Sequence, residues 1–192
     1  MKKYNTKAVV LKNINYKDKD RIYTLFTRRY GKISALARGV RKISSRRSGN
    51  LDTLNFINVK ITENQKGFRN IDEVETIKSY KSIKDNLNLS KNAYYITELL
   101  FKALEEDEEA HDIFDFLIKV LNLFEENKIK PEILVCFFEL HFLELLGYKI
   151  PDIKLNEEEL DTVTVQRVKE ISPNIKSYIY TYLSDRFKSL EL

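Results

Sequence analysis

Between residues 56 and 62 apolar and polar side chains alternate. Ile57, Val59 and Ile61 fall on one side, Asn58, Lys60 and Thr62 on the other. This period of two predicts a half-buried strand. Four more short strands can be read in the first eighty residues. Residues 7–11 form a β-branched-rich run, followed by a polar turn at 15–20. Residues 21–28 carry Ile22, Tyr23, Leu25 and Phe26, and a third strand opens at Gly31. After a turn cluster at 63–67, a fifth strand runs from 68 to about 77, with Ile71 and Val74 as its apolar members. Five short strands fit a small barrel, and the five-stranded OB-fold is the common barrel of this size that binds oligonucleotides, on strands 2 and 3 and the loops beside them.

From Lys84 onward the period lengthens. Leu87, Leu89, Ala93, Ile96, Leu99, Leu100, Ala103 and Leu104 recur every three to four residues, which predicts an amphipathic helix with Ser90 as a candidate cap. The acidic run 105–109 reads as a solvated turn between helices. Ile113, Leu117, Val120, Leu121 and Phe124 mark a second helix. Pro131 opens a third at its first turn, and Gly147 closes it. Residues 156–171 and 173–190 read as two more. The fold class is therefore α+β in two domains: a five-stranded OB-fold barrel over 1–80, then an all-α bundle over 81–192.

Charge sharpens this division. Residues 1–80 hold 19 Lys/Arg against 7 Asp/Glu, and residues 81–192 hold 14 against 22. The basic excess concentrates between Gly31 and Gly49, where Arg38, Arg41, Lys42, Arg46 and Arg47 share a short run without one acid. Such cations repel one another unless a polyanion compensates them, and a nucleic-acid backbone is the commonest such partner. Arg28, Arg29 and Lys32 extend the patch along strands 2 and 3. Tyr30 is the candidate stacking platform, because every base has a π-face. Tyr23 and Phe26 compete between stacking and filling the barrel, and burial habits favour filling for Phe26.

Catalytic signatures do not appear. His111 and His141 lack partners at zinc-binding spacing, and no phosphate-binding glycine loop is present. Cys136, the single cysteine, sits among Leu134, Val135, Phe137 and Phe138 and reads as a core thiol. No metal, cofactor or enzyme activity is expected. The start of the chain lacks a secretory pattern and no apolar run is long enough for a bilayer, so a cytoplasmic protein without membrane partners is expected.

Several segments together resemble the RecO family of bacterial DNA repair and recombination mediators. They are residues 8–11 with 20–27, Gly31-Lys32-Ile33 with Ala37-Arg38-Gly39-Val40-Arg41-Lys42, residues 45–51, Phe138-Glu139-Leu140 with Leu145-Leu146-Gly147-Tyr148, and Phe187-Lys188-Ser189-Leu190. The resemblance implies an N-terminal OB-fold and a helical C-terminal domain. It implies binding of single- and double-stranded DNA and annealing of complementary strands. The implied partners are RecR, the single-stranded-DNA-binding protein through its acidic C-terminal tail, and indirectly RecA. Lys32, Arg38, Arg41, Lys42, Arg46 and Arg47 match the family's basic motif and are the expected DNA ligands, with Arg28 and Tyr30 beside them. Many members carry a four-cysteine zinc site after the Leu-Gly-Tyr segment. Here Tyr148 leads into Lys149-Ile150-Pro151 with no cysteine, so no zinc module is expected. Two rival readings stand on the residues alone: an OB-fold RNA-binding protein of translation or RNA processing, and a non-catalytic adaptor whose acidic bundle matters most.

Overall fold

The computed structural model describes residues 1–42, 45 and 47–190, with side chains as far as residue 184. The chain divides into two compact units, 1–81 with 97–115 and 82–96 with 116–192. Its strands are β1 (Lys2–Tyr16), β2 (Asp20–Thr27), β3 (Gly31–Ala37), β4 (Phe56–Glu63) and β5 (Arg69–Lys78). Its helices are α1 (Arg47–Asn50), α2 (Lys81–Asp85), α3 (Leu87–Ala103), α4 (His111–Glu126), α5 (Pro131–Leu145) and α6 (Val165–Leu190). A single 3₁₀ turn, Glu157–Glu159, precedes α6.

In the first unit the strands close into a barrel in the order β1-β2-β3-β5-β4, the OB-fold arrangement expected. Closure depends on β1 serving two partners. Its first half pairs with β4, from Lys2 opposite Glu63 to Val9 opposite Phe56, and its second half pairs with β2. The register slips between Val10 and Lys12, a bulge that bends β1 from one partner to the other. Alternation then fills the interior with Ala8, Val10, Tyr23, Leu25, Ile33, Ala35, Ile57, Val59 and Ile61. Tyr23 is thus a core residue. Phe26 is also fully buried, but on the outside of the barrel, where the Phe114 ring covers it edge-on at 5.4 Å.

One stretch of the barrel wall is left open by the strands. β3 pairs with β2 along its length but meets β5 only at Leu36 opposite Asn70. The acidic segment after α3 covers that gap. Glu106 bridges in parallel to Lys32, and the Asp107 N–H donates to the Lys32 carbonyl at 2.9 Å. The segment was expected as a solvated turn. Its side chains are exposed, but its backbone is bonded to a strand edge that would otherwise stay unpaired. Gly31 makes this approach possible. It has φ +61°, and a Cβ there would lie 1.7 Å from the Glu108 carbonyl oxygen.

The second unit is built around α5. This helix is apolar on nearly every side, from Ile133 through Leu143, and such a helix belongs in the middle of a core. Leu117, Val120, Leu121 and Phe124 of α4 are buried within the unit, as are Val168, Ile175 and Ile179 of α6. Cys136 is buried, and burial pushes its thiol up to about 12, as fits a core residue. Pro131 opens α5. Gly147 follows its end with φ +89°, and the N–H groups of Gly147 and Tyr148 donate to Glu144 and Leu143, a Schellman-type closure.

Two helical expectations are corrected. Asn86, not Ser90, caps α3: its side-chain oxygen accepts from the N–H groups of Asn88 and Leu89. The residues before Ser90 are already helical, so its hydroxyl donates back to the Leu87 carbonyl. The segments 156–171 and 173–190 are not two helices, because α6 runs through Pro173. Val168, Ile175 and Ile179 are buried on both sides of the proline, so one apolar stripe continues across the lost backbone hydrogen bond.

Glu139 of α5 is fully buried. Tyr95 donates to one of its carboxyl oxygens at 2.5 Å, and the other finds no partner among the described residues. Burial raises its pKa, only partly opposed by the Tyr95 hydrogen bond and the charge of Lys176.

Gly31→Ala is expected to cost about 2 kcal/mol or more of unfolding free energy in denaturant titration, because it combines a left-handed backbone with a backbone clash. A second test concerns pH. Because the folded state raises the Glu139 pKa, stabilisation present below the ordinary carboxylate value fades as pH climbs to the raised one. Glu139→Gln stays neutral, so its stability relative to the parent should grow as pH climbs above the ordinary carboxylate value. A difference that stays constant with pH contradicts the burial account.

Candidate nucleic-acid interface

On the barrel the β1–β2 turn, the end of β3 and the β4–β5 turn surround a hollow of about 580 Å³. Strand register sets an apolar line that ends at Leu36, a residue of the hollow's lining. Ile14 of β1 lies opposite Ile22 of β2, which lies opposite Leu36 of β3, so three apolar side chains form a line across the outer sheet. Ile14 is left 52 % exposed.

The two turns supply aromatic rings. Tyr16 ends β1 and is 40 % exposed, with the Lys17 ammonium 5.3 Å from its ring centre. Phe68 closes the β4–β5 turn, one residue before β5, and is 67 % exposed. The turn is tight because the Asn64 side chain accepts from the N–H groups of Lys66 and Phe68, an Asx-type turn, and the Asn64 N–H donates to the Phe68 carbonyl. The exposed ring contributes little to the core. Exposed aromatics beside cations are the usual parts of a single-strand platform.

The basic loop is tied to this hollow. Asp20 accepts the Gly39 N–H at 2.7 Å, which fixes the exit of β3 to the β1–β2 turn. The Arg41 N–H donates to the Lys19 carbonyl at 3.0 Å, and its guanidinium donates to the Lys17 carbonyl. Lys17 and Arg38 line the hollow, and these bonds hold Arg41 beside its β1–β2 turn; all three are exposed, as is Lys42, the next residue of the loop. Arg47 has a different place. Its guanidinium donates to the carbonyls of Arg38 at 2.6 Å and Ile71 at 3.0 Å, so it braces the loop against β5.

The other expected ligands lie elsewhere in the same unit. Lys32 points off the outer face of β3, donates to the Phe101 carbonyl at 2.7 Å and lies over the Phe101 ring. Arg28 forms a bidentate pair with Asp115 at 2.8 Å. The hydrogen bonds and charge of that guanidinium hold the Asp115 carboxyl below its usual range. Tyr30 packs on Tyr4 with ring centres 4.2 Å apart. Arg46 lies outside the described residues.

Tyr16, Lys17 and Phe68 belong to the hollow but were not among the expected site residues. The signal was present, since each stands in a polar turn where the barrel has no use for an aromatic. What sequence could not show is that the two turns meet. Among the described residues no cluster of three or more His, Cys, Asp or Glu could hold a metal, and no helix is long and apolar enough to cross a membrane. The second unit holds a larger hollow, about 940 Å³, where Val135, Cys136 and Val168 meet Lys169 and Lys176.

Comparison with known proteins agrees with this layout. Residues 1–80 match the family described as recombination protein O N terminal, and residues 86–152 match recombination protein O C terminal. The chain is 36 % identical over 148 residues to the DNA repair protein RecO of Thermoanaerobacter sp., covering 77 % of this chain and 59 % of that protein. It is 32 % identical over 151 residues to the DNA repair protein RecO of Thermodesulfovibrio yellowstonii, covering 79 % and 60 %. Against the protein of the same name from Clostridium novyi it is 32 % identical over 145 residues, covering 76 % and 56 %. The chain thus spans about three fifths of the length of the curated relatives it matches.

The brace and the mouth can be separated by stability. Arg47→Gln is expected to lower the unfolding free energy by about 1–3 kcal/mol, the worth of charged hydrogen bonds to carbonyls. Arg38→Gln, at an exposed position, should stay within about 0.5 kcal/mol of the parent in the same urea titration.

Proposed function

The chain belongs to the RecO family of DNA repair proteins, and from that premise we propose that it is a non-catalytic mediator of recombination that binds single- and double-stranded DNA through the barrel hollow. The observation that carries this reading is the meeting of Tyr16 and Phe68, both exposed, with Lys17 and Arg38 at one hollow, and with Arg41 bonded to the Lys17 carbonyl beside it. Phosphates go to the cations and bases to the rings and the Ile14–Ile22–Leu36 line. Arg46 joins the phosphate ligands on the same loop. Arg47 acts by holding the loop, and Lys32, Arg28 and Tyr30 shape the barrel around it.

Annealing follows from the same surface. Two complementary strands repel each other, and cations that hold both lower that repulsion and raise their local concentration. In this reading the chain works with RecR to help load RecA onto DNA coated by single-stranded-DNA-binding protein. The acidic tail of that protein finds complementary chemistry at the second-unit hollow, where Lys169 and Lys176 flank an apolar floor. Membrane surfaces have no part in it, and a cytoplasmic, nucleoid-associated location goes with it.

Binding of an oligothymidylate should weaken with salt at a log–log slope between about −3 and −4, from about −0.7 per phosphate contact on single strands. Tyr16→Ala and Phe68→Ala should each cost about 1–3 kcal/mol of binding and leave that slope unchanged. Arg38→Gln should instead flatten the slope by about 0.7. Annealing of labelled complementary oligonucleotides should fall in step with binding. A slope near zero for the parent protein, or equal affinity after both aromatic substitutions, overturns the reading. A matched RNA oligonucleotide bound more tightly than DNA would move the function to RNA.

A further inference from the structure

The acidic segment that covers the open edge of β3 also reaches the mouth of the hollow. Arg69 opens β5 and lines the hollow, yet its guanidinium is already engaged. Asp107 accepts from Nη2 at 2.7 Å, and Glu63 accepts from Nε at 3.5 Å. The Arg69 side chain is mostly buried, whereas the Asp107 side chain is half exposed. Asp107 also has φ +65°, a left-handed conformation that Asp and Asn tolerate better than most residues. The segment is anchored on both sides of that residue. Glu106 accepts from the Ser34 hydroxyl at 2.7 Å, the Asp107 N–H donates to Lys32, and Glu108 lies against Gly31.

A carboxylate held here does what a phosphate would do. It presents an anionic oxygen to a guanidinium at the edge of a cationic mouth, on a backbone held by its own hydrogen bonds. We propose that the Arg69–Asp107 pair is an autoinhibitory latch, in which Asp107 occupies a phosphate position of the hollow and an entering nucleic-acid strand displaces it from Arg69. This rests on the reading of the hollow as the DNA-binding face. The exchange is of one anion for another, so no charge is left buried and unpaired at any stage. Its effect is selective. A strand that contacts only the outer cations leaves the latch closed, and one seated along the β4–β5 hairpin opens it.

Asp107→Asn keeps the left-handed backbone and removes the competing charge. It is expected to bind oligothymidylate about twofold to fivefold more tightly than the parent, the range of an exposed ion pair. Its salt slope should stay that of the parent, because the seated strand meets Arg69 in both proteins. Glu108→Gln removes an equal charge one residue away and should leave the affinity as it is. In an Arg69→Gln background, Asp107→Asn should have no effect on either quantity. Unchanged affinity in Asp107→Asn, beside normal salt-dependent binding by the parent, overturns the latch alone. An equal gain in Glu108→Gln also overturns it, because a general field would then be the cause. Absence of binding by the parent overturns the reading of the hollow and the latch together.

Discussion

The barrel depends on closing a sheet that its own strands do not quite close. β3 meets β5 at one pair, and ahead of Leu36 its outer edge has no strand partner. Unpaired N–H and C=O groups on such an edge invite association with other chains. Here the segment between α3 and α4 fills the gap, with Glu106 bridged to Lys32 and the chain passing close enough to Gly31 to exclude a side chain. That docking brings five consecutive acids, Glu105 to Glu109, against the most basic part of the molecule. The resulting ion pairs, Arg69 with Asp107 and Arg28 with Asp115 just beyond, consume cations that a count of charges would assign to a ligand.

The cations that stay exposed are therefore the ones this segment does not reach. Lys17 and Arg38 line the hollow, and bonds from the β1–β2 turn to the basic loop hold Arg41 beside them. Arg47 shows how a residue can match a basic motif and yet work as a brace, because three backbone carbonyls lie within its reach. The two aromatics that complete the mouth come from two turns far apart in sequence. Their exposure is a consequence of the tight hairpins that carry them, since neither ring can turn back into the barrel.

Much of this was legible beforehand. The alternation at 57–61 and the change of period after Lys84 follow from burial on one face, and they located the barrel and the helices. Local chemistry was legible too, in Pro131 at the start of α5 and Gly147 after its end. What failed was decided by longer-range packing. The apolar stripe of Val168, Ile175 and Ile179 carried a helix through Pro173, where local preference called for a break. Asn86 displaced Ser90 as a cap because α3 starts at Leu87, where its apolar period begins, so the residue before Leu87 is the one whose side chain reaches the free N–H groups of the first turn. Of the expected residues, Arg38 lines the hollow and Arg41 is bonded to its β1–β2 turn. The contacts of Arg28, Lys32 and Tyr30 could not be read, because their partners Asp115, Phe101 and Tyr4 become neighbours only in the folded unit. Phe68 was read as the first residue of a strand; it stands one residue before β5, and its carbonyl accepts the Asn64 N–H across the turn.

The central claim is that one face of the barrel accepts a nucleic-acid strand. Hydrogen–deuterium exchange of the full chain, with and without saturating oligothymidylate, tests it most directly. Slowed exchange is predicted at residues 14–20, 36–42 and 63–70, the segments that surround the hollow. Slowed exchange confined to residues 82–96 and 116–192 would contradict the account, because it would place the strand on the helical unit instead.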